Sequence, residues 1–420
     1  MIPLDLALIC FLLLAAINYR LRRSVLYPPF IFSAMWLLDL ATVRSGLIEV
    51  DPVHGNTLAI VAAGAASFSF GGLLAGLAPR KLLRFHPFPP KPVRTSDFLR
   101  NVLTFVLLCG LPVLFYQTWQ LGRLGAGGFN LLAQARMVMV DESRTGEWTG
   151  SFVLNYFTQI VTFIFLLFAT GKKDRQFWVV TVIAFSACVL SLGRGYFLAI
   201  ISGLIAIRLL HRKQETLRSA IPLLRWPIAL FVTVFIGVVF ISKNTEGMTD
   251  STTGIATFSV FSDIVGPLVA FDRVVQSPAD FMTPWSHTFQ FPLHLATTLH
   301  IISNYTKTPM LDRFVFVPFP INVYTVFKFY YLELGIIGML VLLLFIGLLH
   351  SLLYLKARQG GRFSMYLFAF SMYSVLMVIY DDSYFDIATL LRAFAIGLLY
   401  FLVSSMTFRL VPTTNTVSKP

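Results

Sequence analysis

The segment Phe329–Leu353 reads FYYLELGIIGMLVLLLFIGLLHSLL. Its one charged side chain is Glu333, and from Leu334 to Leu349 no polar side chain occurs. A helix needs roughly 17–25 mostly apolar residues to cross the hydrocarbon core of a bilayer. The segment meets that need and has no use in a soluble domain. The pattern recurs along the chain. Further spans fall at about 3–18, 25–43, 56–78, 99–117, 151–170, 176–193, 195–210, 226–242, 363–380 and 387–405. With 329–353 they make about eleven. The 420 residues are 56% hydrophobic and 13% charged, against roughly 25% charged in a soluble chain. The expectation is an all-α polytopic membrane protein with a single transmembrane domain, 1–420. The first apolar run has Asp5 near its start and Arg20, Arg22 and Arg23 after it. A cleaved leader has the opposite polarity, so this run reads as a first membrane helix that starts outside the cytoplasm. Gly72 and Gly76 form a small-xxx-small pair suited to close helix packing.

The connectors alternate in character. One set is basic: Arg20–Arg23, Arg80–Arg94, Lys172–Arg175, Arg212–Arg225 and Lys356–Arg362. With Arg100, Arg208, Arg409 and Lys419 it holds 22 of the 33 Lys and Arg residues, but of the 20 acids only Asp97, Asp174 and Glu215. The positive-inside rule assigns this set to the cytoplasm. The net charge of +13 is thereby explained without nucleic acid, whose binding calls for basic residues interleaved with aromatics on a polar surface. Two long connectors, 118–150 and 243–328, lie on the other face. Loops of this length are functional or disordered, and these are not of low complexity. The second has Trp285 and apolar stretches such as Phe289–Leu299, which point to helices at the membrane interface. No internal repeat of the kind that builds transporters is visible.

Cys10, Cys109 and Cys188 lie in apolar stretches, and no Cys or His spacing suits a metal. The informative residues are arginines on the non-cytoplasmic side: Arg123, Arg136 and Arg144 in the first long connector, Arg273 and Arg313 in the second. Arg194 sits in Ser191-Leu192-Gly193-Arg194-Gly195-Tyr196 between two spans, at the depth of a lipid headgroup. Guanidinium matches phosphate oxygens bidentately, although an arginine there also serves simply to anchor a helix end. Glu333 is an intramembrane carboxylate, a functional candidate by type, with Lys328 available to pair with it. Asn322 and Tyr324 are candidates for sugar hydroxyls. Asp381, Asp382 and Asp386 form an acidic cluster, followed by Arg392. Among His287, His294 and His300, His294 and His300 are candidates for a general base near neutral pH. No P-loop, dinucleotide fingerprint, HExxH or GxSxG occurs.

The turn Leu192-Gly193-Arg194-Gly195, the stretch Pro320-Ile321-Asn322-Val323-Tyr324-Thr325 and the step Glu333-Leu334-Gly335, set among many helices with two long arginine-bearing loops, resemble the bacterial Wzy-type O-antigen polymerases. That family is distantly similar to the O-antigen ligases. Some members carry Arg-x10-Gly in their loops; here Arg136 is followed by Gly146, one residue short. The resemblance implies a GT-C-like membrane glycosyltransferase on the periplasmic face of the inner membrane. Donor and acceptor would both be undecaprenyl-diphosphate-linked glycans, with a chain-length regulator as a further partner and no cofactor. Arg194, Arg273, His294 and Glu333 would be catalytic. Arg136, Arg144, Arg313, Asn322 and Tyr324 would bind substrate. An O-antigen ligase and a polysaccharide flippase are the alternatives.

Overall fold

The computed structural model describes residues 3–47, 49–78, 97–124, 151–169, 174–190, 194–212, 215–222, 252–283, 286–303, 313–317 and 319–385, with isolated positions around 131–138 and 224–233 and at 393 and 397. The helices are α1 (Leu4–Arg22), α2 (Pro28–Ser45), α3 (Gly55–Leu77), α4 (Asp97–Leu124), α5 (Ser151–Ala169), α6 (Arg175–Leu190), α7 (Arg194–Arg212), α8 (Thr252–Gln276), α9 (Gln290–Thr298), α10 (Phe327–Arg358) and α11 (Arg362–Leu376). Two short antiparallel strands, β1 (Val315–Phe316) and β2 (Pro320–Ile321), make a small hairpin before α10. Within the described residues four helical stretches, Leu4–Arg22, Gly55–Leu77, Arg100–Leu124 and Phe327–Arg358, are long and apolar enough to cross a membrane. The chain is an all-α membrane protein. Nine of the spans read from hydropathy coincide with helices; 226–242 and 387–405 lie almost wholly outside the described residues.

The centre of the molecule is the contact between α3 and α10. Lipid tails are as apolar as leucine, so helices in a bilayer associate through close packing and buried hydrogen bonds. Both are present. A Cβ on Gly71 would fall on the Leu344 carbonyl oxygen, and one on Gly347 on that of Phe68. Ser67 donates to the Leu340 carbonyl across the same seam at 2.6 Å. Gly72 packs beneath Pro29 and Tyr27, and Gly76 against Arg22, so the small-residue pair seen in the sequence is a packing device. The amide nitrogen of buried Asn18 in α1 shares its two hydrogens among the Pro29 carbonyl (3.1 Å), Ser33 Oγ (3.0 Å) and Ser69 Oγ (2.9 Å). It ties α1, α2 and α3 together.

The described parts of the connectors lie at two ends. At the basic end Glu215 is buried and accepts from Ser24 Oγ (2.6 Å) and Tyr354 Oη (2.5 Å), with Arg358 at 3.3 Å. Arg100 pairs with Asp174 at 2.5 Å. At the opposite end Arg44 pairs with Asp5, and Arg273 with Asp51, each at 2.7 Å.

Helix α8 falls inside the stretch read as the second long connector. Asp263, Pro267, Asp272 and Arg273 lower its hydropathy, yet its Val265, Leu268, Phe271 and Val274 are buried. It packs against α2, α3 and α10 and carries its C-terminal end to the candidate site.

Candidate functional site

Three structures meet at the end opposite the basic connectors: the end of α8 with the 3-10 turn Pro278–Phe281, the β1–β2 hairpin, and the start of α10. Between the first two lies an open cavity of about 340 Å³ lined by Arg273, Gln276, Ser277, Asp280, Arg313 and Phe316, among others. Arg273 and Arg313, 40 residues apart in sequence, therefore share one wall. Each is held by a further hydrogen bond. Arg273 Nη2 donates to Asp51 Oδ2 at 2.7 Å, and Arg313 Nη1 donates to the Asp280 carbonyl at 3.1 Å. Two guanidinium groups around a cavity of this size suit an anion with several oxygens, such as a phosphate or diphosphate.

Tyr324 is buried and donates to the Arg313 carbonyl at 2.9 Å. It thereby fixes the backbone of the arginine. Asn322 stands partly exposed just past β2. Lys328 is also buried. Its ammonium lies 3.7 Å from the ring centre of Tyr324, 5.0 Å from that of Phe329 and 5.9 Å from that of Phe281. Aromatic faces attract a cation held this way. Lys328 thus joins the segment after the hairpin, the 3-10 turn and α10.

Glu333 does not pair with Lys328. Its carboxylate accepts from Ser286 Oγ (2.9 Å), from the backbone N–H of His287 (2.6 Å) and from that of Thr288 (3.2 Å). It organises the turn that leads into α9. Two residues later Gly335 has φ 67° and ψ −177°, a break within α10. That conformation is essentially restricted to glycine, and it divides the piece carrying Lys328, Tyr330 and Glu333 from the apolar piece beyond.

The turn held by Glu333 places His287 against Asp382. Their Nε2 and Oδ2 atoms are 3.3 Å apart. Asp382 also accepts from Tyr330 Oη at 2.7 Å and from the Tyr384 N–H at 2.8 Å. The His287 ring stacks on Phe329 with centroids 4.1 Å apart. Burial, with the Asp382 carboxylate nearby, holds the Tyr384 phenol well above its ordinary range. It therefore stays protonated and donates to His350 Nδ1 at 3.1 Å. His350 Nε2 then donates to Ser371 Oγ at 2.9 Å, since Ser371 spends its own proton on the Phe368 carbonyl.

From the expected set the structure thus brings together Arg273, Arg313 and Tyr324, while Glu333 holds the separate turn at Ser286–Thr288. His294 and His300 lie exposed on α9 and just after it, and His287 of that segment lies beside Asp382. Arg194 opens α7, which packs on α5, α6 and α11. Its partner Gly195 faces Tyr373, where a Cβ would meet the hydroxyl. Residues 191–193, Arg136, Arg144, Trp285, Asp386 and Arg392 lie outside the described residues. Among the described residues no cluster of three or more His, Cys, Asp or Glu is arranged to hold a metal.

Sequence reasoning missed the pair His54–Asp272. The His54 N–H donates to Asp272 Oδ1 at 3.0 Å, its Nδ1 lies 2.8 Å from Oδ2, and Thr57 Oγ1 donates to Oδ1 at 2.6 Å. These residues are 218 positions apart, and no spacing could have joined them. No known protein family, curated protein or solved structure matches the chain.

Proposed function

We propose that this protein is a GT-C-like membrane glycosyltransferase with about eleven transmembrane helices in the bacterial inner membrane. It joins undecaprenyl-diphosphate-linked oligosaccharide units into an O-antigen or related surface polysaccharide at the periplasmic face. The observation that carries the reading is the convergence of Arg273 and Arg313 on one open cavity at the end opposite the basic connectors. A lipid diphosphate is an activated leaving group. Its departure builds negative charge, which preorganised guanidinium groups stabilise in the transition state. The acceptor hydroxyl attacks the anomeric carbon of the donor, the bond to the diphosphate oxygen breaks, and the diphosphate leaves with the electron pair. Arg194 supports the reading from the sequence, as a second phosphate contact in a glycine-flanked turn.

The test is the glycan ladder of a deletion strain complemented with wild type or Arg273→Ala. Loss of a polymerase leaves a single repeat on the lipid core, loss of a ligase leaves none, and loss of a flippase halts both upstream of the periplasm. The expected result is a single repeat in the deletion strain, a full ladder with wild type, and a single repeat with well-expressed Arg273→Ala. A full ladder in the deletion strain sinks the proposal.

A further inference from the structure

We propose that His54 is the proton acceptor for the Arg273–Arg313 cavity, held in its active tautomer by Asp272. The inference rests on the transferase reading and adds the group that this reading lacks. Asp272 is buried, with 3% of its surface exposed, and its hydrogen-bond partners are His54 and Thr57. Oδ1 takes the His54 N–H and the Thr57 hydroxyl, which leaves Oδ2 for the imidazole. A carboxylate cannot donate, so His54 Nδ1 must carry the hydrogen between them. In the neutral ring the lone pair then lies on Nε2. The side chain is 47% exposed, so this face of the dyad reaches the surroundings while the carboxylate does not. A buried carboxylate that orients an accessible imidazole is the arrangement that accepts a proton from a hydroxyl and stabilises the imidazolium formed.

Location links the dyad to the cavity. Asp272 is followed in α8 by Arg273, which lines the cavity. The connector that carries His54 also supplies Asp51, the partner of that arginine. The charged group in contact with His54 is Asp272 from α8, whose carboxylate also takes the neutral Thr57 from α3; Arg273 and Asp51, next along α8 and the His54 connector, pair with each other. The other carboxylate-backed histidine of this end, His287, has only 12% of its side chain exposed and lies flat on Phe329. His54 is the better placed acceptor. In the step, the acceptor hydroxyl forms its bond to the anomeric carbon and its proton passes to His54 Nε2. The diphosphate leaves with the electron pair, and the imidazolium later releases the proton to water.

The dyad also clamps the start of α3, so the test must separate clamp from base. His54→Asn does this, because the asparagine amide nitrogen replaces Nδ1 as donor to Asp272 while Nε2 is lost. Purified wild type and His54→Asn are compared for thermal stability, for turnover of lipid-linked repeat units between pH 5 and 9, and for rescue by added imidazole. The expected result is an unchanged melting temperature and KM, kcat lower by roughly 100- to 10,000-fold, the usual contribution of a general base, loss of the acid limb of the pH profile, and partial rescue by imidazole. A folded His54→Asn protein with wild-type kcat and pH profile overturns the inference and leaves the transferase intact. No turnover by wild type overturns both.

Discussion

Asp174 shows how a residue named only for its charge becomes a structural part. It precedes α6, and its Oδ1 accepts the backbone N–H of Phe177 at 3.0 Å, an N-cap, while Oδ2 takes Arg100. The Phe177 N–H first, and Arg100 after it, hold its carboxyl below the usual range. A lowered carboxylate value means that the ionised form is favoured by folding. That stability is present above the ordinary aspartate value, about 3.9, and is lost as pH falls through the lower folded value. Asp174→Ala is expected to cost about 1 kcal/mol, as for other N-caps, at pH 7. The difference from wild type should shrink toward pH 3. Thermal unfolding in detergent over that range checks it; a gap that widens on acidification refutes the assignment.

Arg194 is the residue whose role rests most on sequence. If it clamps the diphosphate, lysine keeps the charge and loses the two-pronged geometry. Arg194→Ala is expected to abolish polymer and Arg194→Lys to leave a residue of activity. Loss of one such contact costs on the order of 100- to 1000-fold in rate. The glycan ladder, read beside protein level, is the measurement, and a normal ladder from well-expressed Arg194→Ala removes Arg194 from the site. Glu333 illustrates the opposite case. Its position in an apolar span marked it as important, but the sequence was silent on why. Its partners come from residues 286–288, and only folding brings that turn to it.

At the scale of the element, α10 carries the most consequence. Its apolar stretch was plain from hydropathy, whereas the break at Gly335 was not. A glycine in an apolar helix is equally consistent with close packing, as at Gly347. The distinction is tertiary: Gly347 sits on the Phe68 backbone, while a Cβ at Gly335 would meet nothing within 4 Å. The two predictions therefore differ in kind. Gly335→Ala has room but a forbidden backbone, and should cost about 1–3 kcal/mol. It should also lower transferase activity, because straightening the helix moves Glu333 and Tyr330 away from His287 and Asp382. Gly347→Leu has an allowed backbone but no room, and should prevent α3 from seating, seen as loss of folded protein in fluorescence size-exclusion. A fully stable and active Gly335→Ala protein would show that the break is incidental. Helix α8 was legible only in part. Its apolar residues are interrupted by two aspartates and Pro267, so hydropathy alone leaves it inside the long connector. Asp272 is tolerated among buried neighbours because His54 and Thr57 satisfy it, and those partners are far away in sequence.

At the scale of the molecule, charge asymmetry predicts orientation. In a background without native cysteines, Leu47→Cys on the Asp51 side is expected to label with an impermeant thiol reagent in cells with a permeabilised outer membrane. Leu217→Cys on the Glu215 side should label only after lysis. Both positions are exposed, at 61% and 43%, so access depends on sidedness. The reverse pattern inverts the protein and overturns the proposed periplasmic placement of the site. The arginine cavity also carries a prediction about metals: polymerisation by purified protein should persist in a strong chelator. Loss of activity restored by one divalent cation would shift attention to Asp381 and Asp382.

The sequence by itself determined the class and the approximate positions of nine of the described helices. Hydropathy and the count of Lys and Arg are sums over local residues, and no partner is needed to evaluate them. It also marked Arg273, Arg313 and Glu333, because charge is costly near a membrane and is retained for a reason. Which of these residues meet was decided only by tertiary structure. Arg273 joins Arg313 through a turn and a hairpin, Glu333 holds His287 across 46 residues, and His54 finds Asp272 across 218. Side-chain pairing at such separations depends on how α2, α3, α8 and α10 pack, and close packing is a property of the assembled helices rather than of any one segment.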